Sequence, residues 1–260
     1  MNKFLITASV VLLGLVGQAA PIDLNKGDHI VLLGNGLAER MQHHGWLESY
    51  IQAALPKHKL VFRNHGFSGD RINKRPRNKA FIDADTYLEI SQADIILALF
   101  GYNESYDDKA EEYKAELIKW VDETLTKKYN GESAPKIILC SPIAHEDLNN
   151  PNLPDGRANN ARIAKYARAT AEAAQEKGIP YVDLYSLTGT LYAENKKPLT
   201  INGIHPNSLG NKLIAQHLAS TIFGLEISGD TELLASIKEA VRDKNWYWHN
   251  RYRATDGNDV

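Results

Sequence analysis

Five short apolar runs punctuate the chain: "HIVLL" (29–33), "KLVFRN" (59–64), "DIILALF" (94–100), "KIILCS" (136–141) and "PYVDL" (180–184). They are nearly continuous in hydrophobicity rather than alternating, as expected for strands covered on both faces. Between them the apolar positions fall at helical spacing. Residues 46–55 read as one helix, and within 108–129 Tyr113, Leu117, Trp120, Val121 and Leu125 make a single stripe. A further helix covers 159–177, stopped by Gly178 at its C-cap, and another covers 208–223. Strands alternating with helices predict right-handed crossovers, hence a parallel sheet with helices on both sides.

The chain changes character at both ends. Its start, "MNKFLITASVVLLGLVGQAA", sets a lysine before an apolar run of roughly a dozen residues and then small residues, the layout of a secretory signal peptide. That run is too short to span a bilayer stably, and cleavage after Ala19 places Gly17 and Ala19 where a signal peptidase reads. The expected organisation is a signal peptide at 1–19, one domain at 20–228 and a C-terminal segment at 229–260. In that segment "TELLASIKEAVRDKN" predicts a polar helix. The following "WYWHNRYR" gathers aromatic and basic side chains that either pack back on the domain or stack on a sugar or a protein partner.

At 260 residues and 43% hydrophobic content the chain can bury one sizeable core. A formal charge of −2 and a pI near 6.5 give no overall field for nucleic acid or an anionic membrane, which points to a small molecule or a neutral polymer as ligand. The single cysteine, Cys140, excludes an intramolecular disulfide, and its place at the end of an apolar run predicts an inert buried thiol. A bacterial periplasm or cell surface suits such an exported chain.

Sheets of this kind bind ligands beyond the carboxyl ends of their strands. The loops there read "GNGLAER", "HGFSGDR", "GYNES" and "SPIAHE" after the first four strands, with "NGIHPN" further downstream. Taken in order they resemble the blocks of the SGNH (GDSL) hydrolase family over roughly residues 29–223. The resemblance implies a three-layer α/β/α sandwich with a five-stranded parallel sheet in flavodoxin-like order 2-1-3-4-5. It places Gly69 at the oxyanion-hole glycine, Asn103 at the oxyanion-hole asparagine and His205 at the general base. The family's first block reads Gly-Asp-Ser-Leu, whereas here Gly34, Asn35, Gly36 and Leu37 stand in line, so glycine takes the nucleophile's place. Asn202 replaces the aspartate of the last block. The pattern is also similar to a divergent secreted branch of the family, into the "RDKNWYWHNRYR" tail, and raises the expectation that the natural chain continues beyond Val260.

The family's reaction needs a hydroxyl to attack an ester carbonyl, an imidazole to take its proton and a carboxylate to steady the imidazolium. Asparagine can still accept from an imidazole; glycine cannot attack. Ser68, Ser105 or Ser141 would be relocated nucleophiles, or Glu39, Asp70 or Glu104 would activate a water. Arg40 and Arg71 would favour an acidic group if they face the site. His145 and Glu146 are expected to line the same cleft as Asn35 and Glu104, binding a polar ligand. No fixed ligand spacing supports a metal among them, and no cofactor is implied. Two functions follow: an ester hydrolase acting on acyl, chiefly acetyl, groups of carbohydrate, or a non-catalytic carbohydrate- or acyl-binding module.

Overall fold

The computed structural model describes residues 21–75, 82–227 and 229–254, with side chains to residue 251. The expected signal peptide at 1–19 lies outside the described residues. Five parallel strands, β1 (His29–Gly34), β2 (Val61–Asn64), β3 (Ile95–Leu99), β4 (Lys136–Cys140) and β5 (Tyr181–Val182), form one sheet in the order β2-β1-β3-β4-β5. Strand order reverses between β1 and β3, where the expectation places the ligand.

The continuous apolar runs explain themselves once the two faces are separated. On one face Ile30, Leu32, Leu97 and Leu99 pack with α1 (Gly36–His44), α2 (Trp46–Ala54) and α7 (Ser208–Phe223) through Met41, Ile51 and Leu218. On the other face Val31, Leu33, Ile96 and Ala98 meet α3 (Ala84–Ile90), α4 (Ala110–Leu125) and α5 (Arg157–Lys177) through Leu88, Leu117, Val121 and Tyr166. Each such fully buried aliphatic side chain contributes about 1.5–3 kcal/mol. The α4 stripe buries Tyr113, Leu117 and Val121 and leaves Trp120 and Leu125 partly covered. Cys140 is buried, and burial pushes its thiol up to about 12. Gly178 caps α5 in the left-handed conformation, as expected.

Three helices are additions to the sequence reading: α1, α3 and α6 (Leu184–Glu194). In "GNGLAER" Gly34 ends β1, Asn35 precedes α1, and the residues from Gly36 on are helix rather than loop. His43 and His44 close the last turn of α1, with left-handed Gly45 ending α1 and opening α2.

The C-terminal helix α8 (Glu232–Ala254) runs on through the aromatic stretch. Its inner face is latched to α2, α1 and β2: Lys244 Nζ donates to Glu48 at 2.6 Å, Asn245 Nδ2 to the Gln42 carbonyl at 3.0 Å, and Trp248 Nε1 to the Asn64 carbonyl at 2.7 Å. Trp248 also stacks on His65. Trp246 and Tyr247 point outward. The aromatic tail is thus divided between packing and surface. Among the described residues no helix is long and apolar enough to cross a membrane.

Candidate active site

The first loop after the sheet is tight because β1 and β3 close on each other. A Cβ at Gly34 would fall 2.3 Å from the Leu99 carbonyl oxygen, so only glycine fits there. The chain then turns at Asn35, which precedes α1 and supplies no side-chain cap to its first-turn N–H groups. Those amides remain open donors at the carboxyl edge of the sheet. Gly36 is the first helical residue.

His205 arrives from the other side on the loop 199–207. The loop is pinned at its base by Glu146, whose carboxylate accepts from Leu199 N (3.0 Å), Thr200 N (2.7 Å) and Thr200 Oγ1 (2.6 Å). It is closed by Ile201 N donating to the His205 carbonyl at 2.9 Å, and anchored ahead by Asn207, which caps α7 by accepting from Leu209 N and Gly210 N. Such a cap is worth about 1 kcal/mol. Within this frame Asn202 Oδ1 accepts from His205 N and Nδ1, each at 3.1 Å. The proton thereby sits on Nδ1, leaving Nε2 as an acceptor. Nε2 faces Gly36: a Cβ built there would stand 3.4 Å from it and 3.8 Å from Ser68 Oγ. Burial, then the nearby Arg40 charge, lowers the His205 pKa, with Glu39 opposing, so the imidazole is neutral at pH 7.

Gly36, Ser68, Asn103 and His205 line one cleft of about 260 Å³, walled by apolar Leu37, Phe100, Ile143 and Ile204 and by Tyr102. The volume suits a short acyl group. A neutral imidazole base facing an open space beside uncapped helix amides is an arrangement for attack on a polarised carbonyl.

The model of the GDSL-like lipase/acylhydrolase family matches residues 27–213. The chain belongs to this family. Its fold is the SGNH hydrolase α/β fold, and similar solved structures include a catalytic mutant of Axe2, an acetylxylan esterase from Geobacillus stearothermophilus, with 18% identity and a TM-score of 0.63 over 80% of this chain and 100% of that one. Axe2 itself aligns at 17% identity and a TM-score of 0.59, over the same shares of the two chains. LAE5, an alpha/beta hydrolase enzyme from the metagenome of Lake Arreo, Spain, aligns at 18% identity and a TM-score of 0.58, over 76% and 95%. No curated protein matches the chain.

Set in this GDSL-like frame, several candidates do other work than expected. Asn103 reaches the cleft, but its Nδ2 donates to the Ser68 and Asp70 carbonyls at 2.7 and 2.9 Å, which occupies both amide hydrogens. Gly69, one residue beyond Ser68, is exposed and is not among the residues that line the cleft. Glu39 holds the second loop, accepting from Ser68 N at 2.8 Å and bonding its hydroxyl. Ser141 Oγ accepts from Tyr185 N and donates to the Pro142 carbonyl, and Ser105 Oγ donates to the Tyr102 carbonyl. All three serine hydroxyls are engaged.

The charged candidates are corrected more sharply. Glu104 is buried, accepts from Ile72 N and Gly101 N at 2.8 and 2.9 Å, and has its pKa raised by burial; it ties two loops together and borders a separate groove with Arg71, Asp107 and Tyr166. Asp70 is wholly buried 3.8 Å from Arg75, and Arg71 pairs with Asp107 on the surface. His145 and Glu146 do not line the cleft. His145 is clasped by Asn159 and Asn160 and walled by glycines: a Cβ at Gly203 or Gly156 would lie 2.3 or 2.7 Å from its ring. Of the residues expected to bind ligand, Asn35 alone borders the cleft directly. The apolar wall was not anticipated; Phe100 at the end of the third apolar run and Tyr102 in "GYNES" were its available signals. Among the described residues no group of three or more His, Cys, Asp or Glu side chains is arranged to hold a metal ion.

Proposed function

We propose that the chain is an exported ester hydrolase that removes acyl, chiefly acetyl, groups from carbohydrate with water as the nucleophile. One observation carries this: His205 Nε2, its tautomer set by Asn202, faces the place at Gly36 where the family's serine side chain would project, 3.4 Å from a Cβ there. A water in that volume lies within reach of the base. His205 takes a proton from it as its oxygen bonds the carbonyl carbon. The tetrahedral intermediate expels the sugar oxygen, which takes the proton back from the imidazolium, giving a carboxylic acid and a free hydroxyl. The uncapped amides of the first turn of α1 are the available donors to the developing oxyanion, since Asn103 is committed elsewhere. The N-terminal pattern supports export, and the acetylxylan esterase neighbours support the substrate class.

The committed Asn103 amide favours a second reading, a binding module without turnover. One experiment separates the two: the mature protein is assayed on 4-nitrophenyl acetate and acetylated xylo-oligosaccharides beside His205→Ala, with a serine-directed phosphonate as label. Hydrolysis lost in the variant, without labelling, is expected. Turnover equal to that of the variant would leave the binding module. Stoichiometric labelling of Ser68, Ser105 or Ser141 would replace water with a relocated serine. Gly36→Ser should become labelled, because its hydroxyl would stand beside Nε2.

A further inference from the structure

We propose that the face shared by α1, Trp46 and α8 is a binding track for an acidic glycan, carrying carboxylate or sulfate groups, that leads to the cleft. That its ester then lies in the cleft rests on the hydrolase reading above; the anion site itself does not.

Gly36, Arg40 and His44 fall at four-residue intervals, so they share one face of α1 that begins at the cleft. Arg40 Nε is buried without a hydrogen-bond partner. Beyond His44 the track passes to α8. Arg242 Cγ lies 3.4 Å from the Cβ position of Gly45, and Lys238 Nζ stands 3.6 Å over the Trp46 ring, with Lys212 Nζ 5.1 Å from the same ring. Trp46, Lys238 and Arg242 border a groove of about 450 Å³.

Lys212 is paired with Asp230, whereas the other cations of the track have no carboxylate partner among the described residues. On the α4–α5 side Lys109, Lys114 and Lys177 pair with Glu112, Glu172 and Asp122. Among the described residues Arg40, Lys238 and Arg242 make no ion pair. They are also close enough to act on one another. Burial first, then Arg40, His43, Arg242 and Lys238 together, lowers the His44 pKa to about 4, and Arg40 bears on His205 as well. Of the nearby acids, Asp230 is held by Lys212 at 2.6 Å, Glu239 lies on the rim shared with the next groove, and Asp243 lines that next groove with His43 and Trp246.

Gathered like charges oppose compact folding, and a bound polyanion relieves them. Guanidinium groups match carboxylate and sulfate geometry, and Trp46, stacked on Tyr50, holds Lys238 over its ring. The chain's net charge of −2 provides no broad field for nucleic acid, so the selectivity has to be local.

The test uses the mature protein with oligogalacturonate and chondroitin sulfate oligosaccharides as carboxylate and sulfate probes, against neutral xylo-oligosaccharide and single-stranded DNA. Affinity is measured by titration calorimetry at two salt concentrations, beside the double variant Lys238→Glu, Arg242→Glu. At least one acidic probe should bind and weaken about tenfold or more with salt, as ion-pairing to several charges requires. The double variant should weaken it comparably with unchanged Tm, and leave the neutral sugar unaffected. Salt-independent binding, indifference to the double variant, equal binding of DNA, or no binding of either acidic probe would overturn the track. Retained acidic-glycan binding by a protein that hydrolyses no ester would leave the track standing and remove the hydrolase reading instead.

Discussion

His145 and His205 are both expected at the cleft from sequence, yet the structure uses them in opposite ways. Both stand in loops at the carboxyl edge of the sheet beside residues suited to catalysis. His205 is half-buried, with Asn202 behind Nδ1 and open space in front of Nε2. His145 is buried, its ring filled in by Gly156 and Gly203, and its neighbour Glu146 clamps the loop that carries His205. One loop presents chemistry and the other holds it in place. The difference lies less in the histidines than in what is small around them: glycines pack against His145 but leave a gap before His205.

The largest expected effect is on His205. Its replacement by alanine should lower kcat/KM on an acetyl ester by about 10²–10⁴-fold, the usual contribution of a positioned general base, with little change in Tm because the ring is half-exposed. Steady-state kinetics beside a melting curve checks this, and an active His205→Ala would end the water-activation mechanism.

Glu146→Ala should act through stability first. It strips the acceptor from two buried backbone amides and the Thr200 hydroxyl, and each orphaned group costs about 1–3 kcal/mol. Tm should fall well below that of His205→Ala, and turnover should fall with it as the 199–207 loop loosens. Glu146→Gln keeps one acceptor oxygen and should recover part of both. His145→Ala is the sharper contrast: it removes the ring's hydrogen bond to Asn159 and leaves the backbone bonds to Asn160, a loss of about 1–3 kcal/mol, measured by denaturant, with kcat preserved at a temperature where the variant is folded. Lost activity at preserved stability would place His145 in the chemistry after all.

How far the sequence could see follows the same division. The five strands, the α4 and α7 spans and the order of the loops are local patterns of hydrophobicity and turn residues, and they were legible. Helix α1 was not, because it opens on glycine directly after a strand and its "GLAER" reads as a turn. Helix α6 begins two residues after β5 and carries Thr and Gly, which favour helices poorly. Within the site, His205 and Asn202 were legible through the resemblance of "NGIHPN" to the family's last block. The roles of Glu39, Glu104, Asp70 and Glu146 were not, since a carboxylate that accepts buried backbone N–H groups looks the same in sequence as one that faces substrate. The committed amide of Asn103 likewise depends on carbonyls more than thirty residues away.

The finest adjustment concerns Asn202. Its Oδ1 already receives His205 N and Nδ1 at 3.1 Å, so Asn202→Asp keeps the hydrogen bonds and adds only a negative charge beside the imidazole. In the wild type, burial and Arg40 depress the His205 pKa, so the base form persists below the ordinary histidine value and the rate should fall only in acid. A carboxylate favours the charged imidazolium and raises that pKa. The acid limb of the kcat/KM profile should therefore move to higher pH, while the plateau above it rises modestly because the imidazolium formed during attack is better supported. The linked stability moves consistently. A histidine whose folded pKa is depressed stabilises the protein above its unfolded pKa, and this stability is lost as the pH falls towards the folded value, so the variant should lose less stability on acidification. A pH–rate profile of the two proteins at constant ionic strength reads this directly. A limb that stays in place would mean either that His205 is not the titrating base or that residue 202 does not govern it.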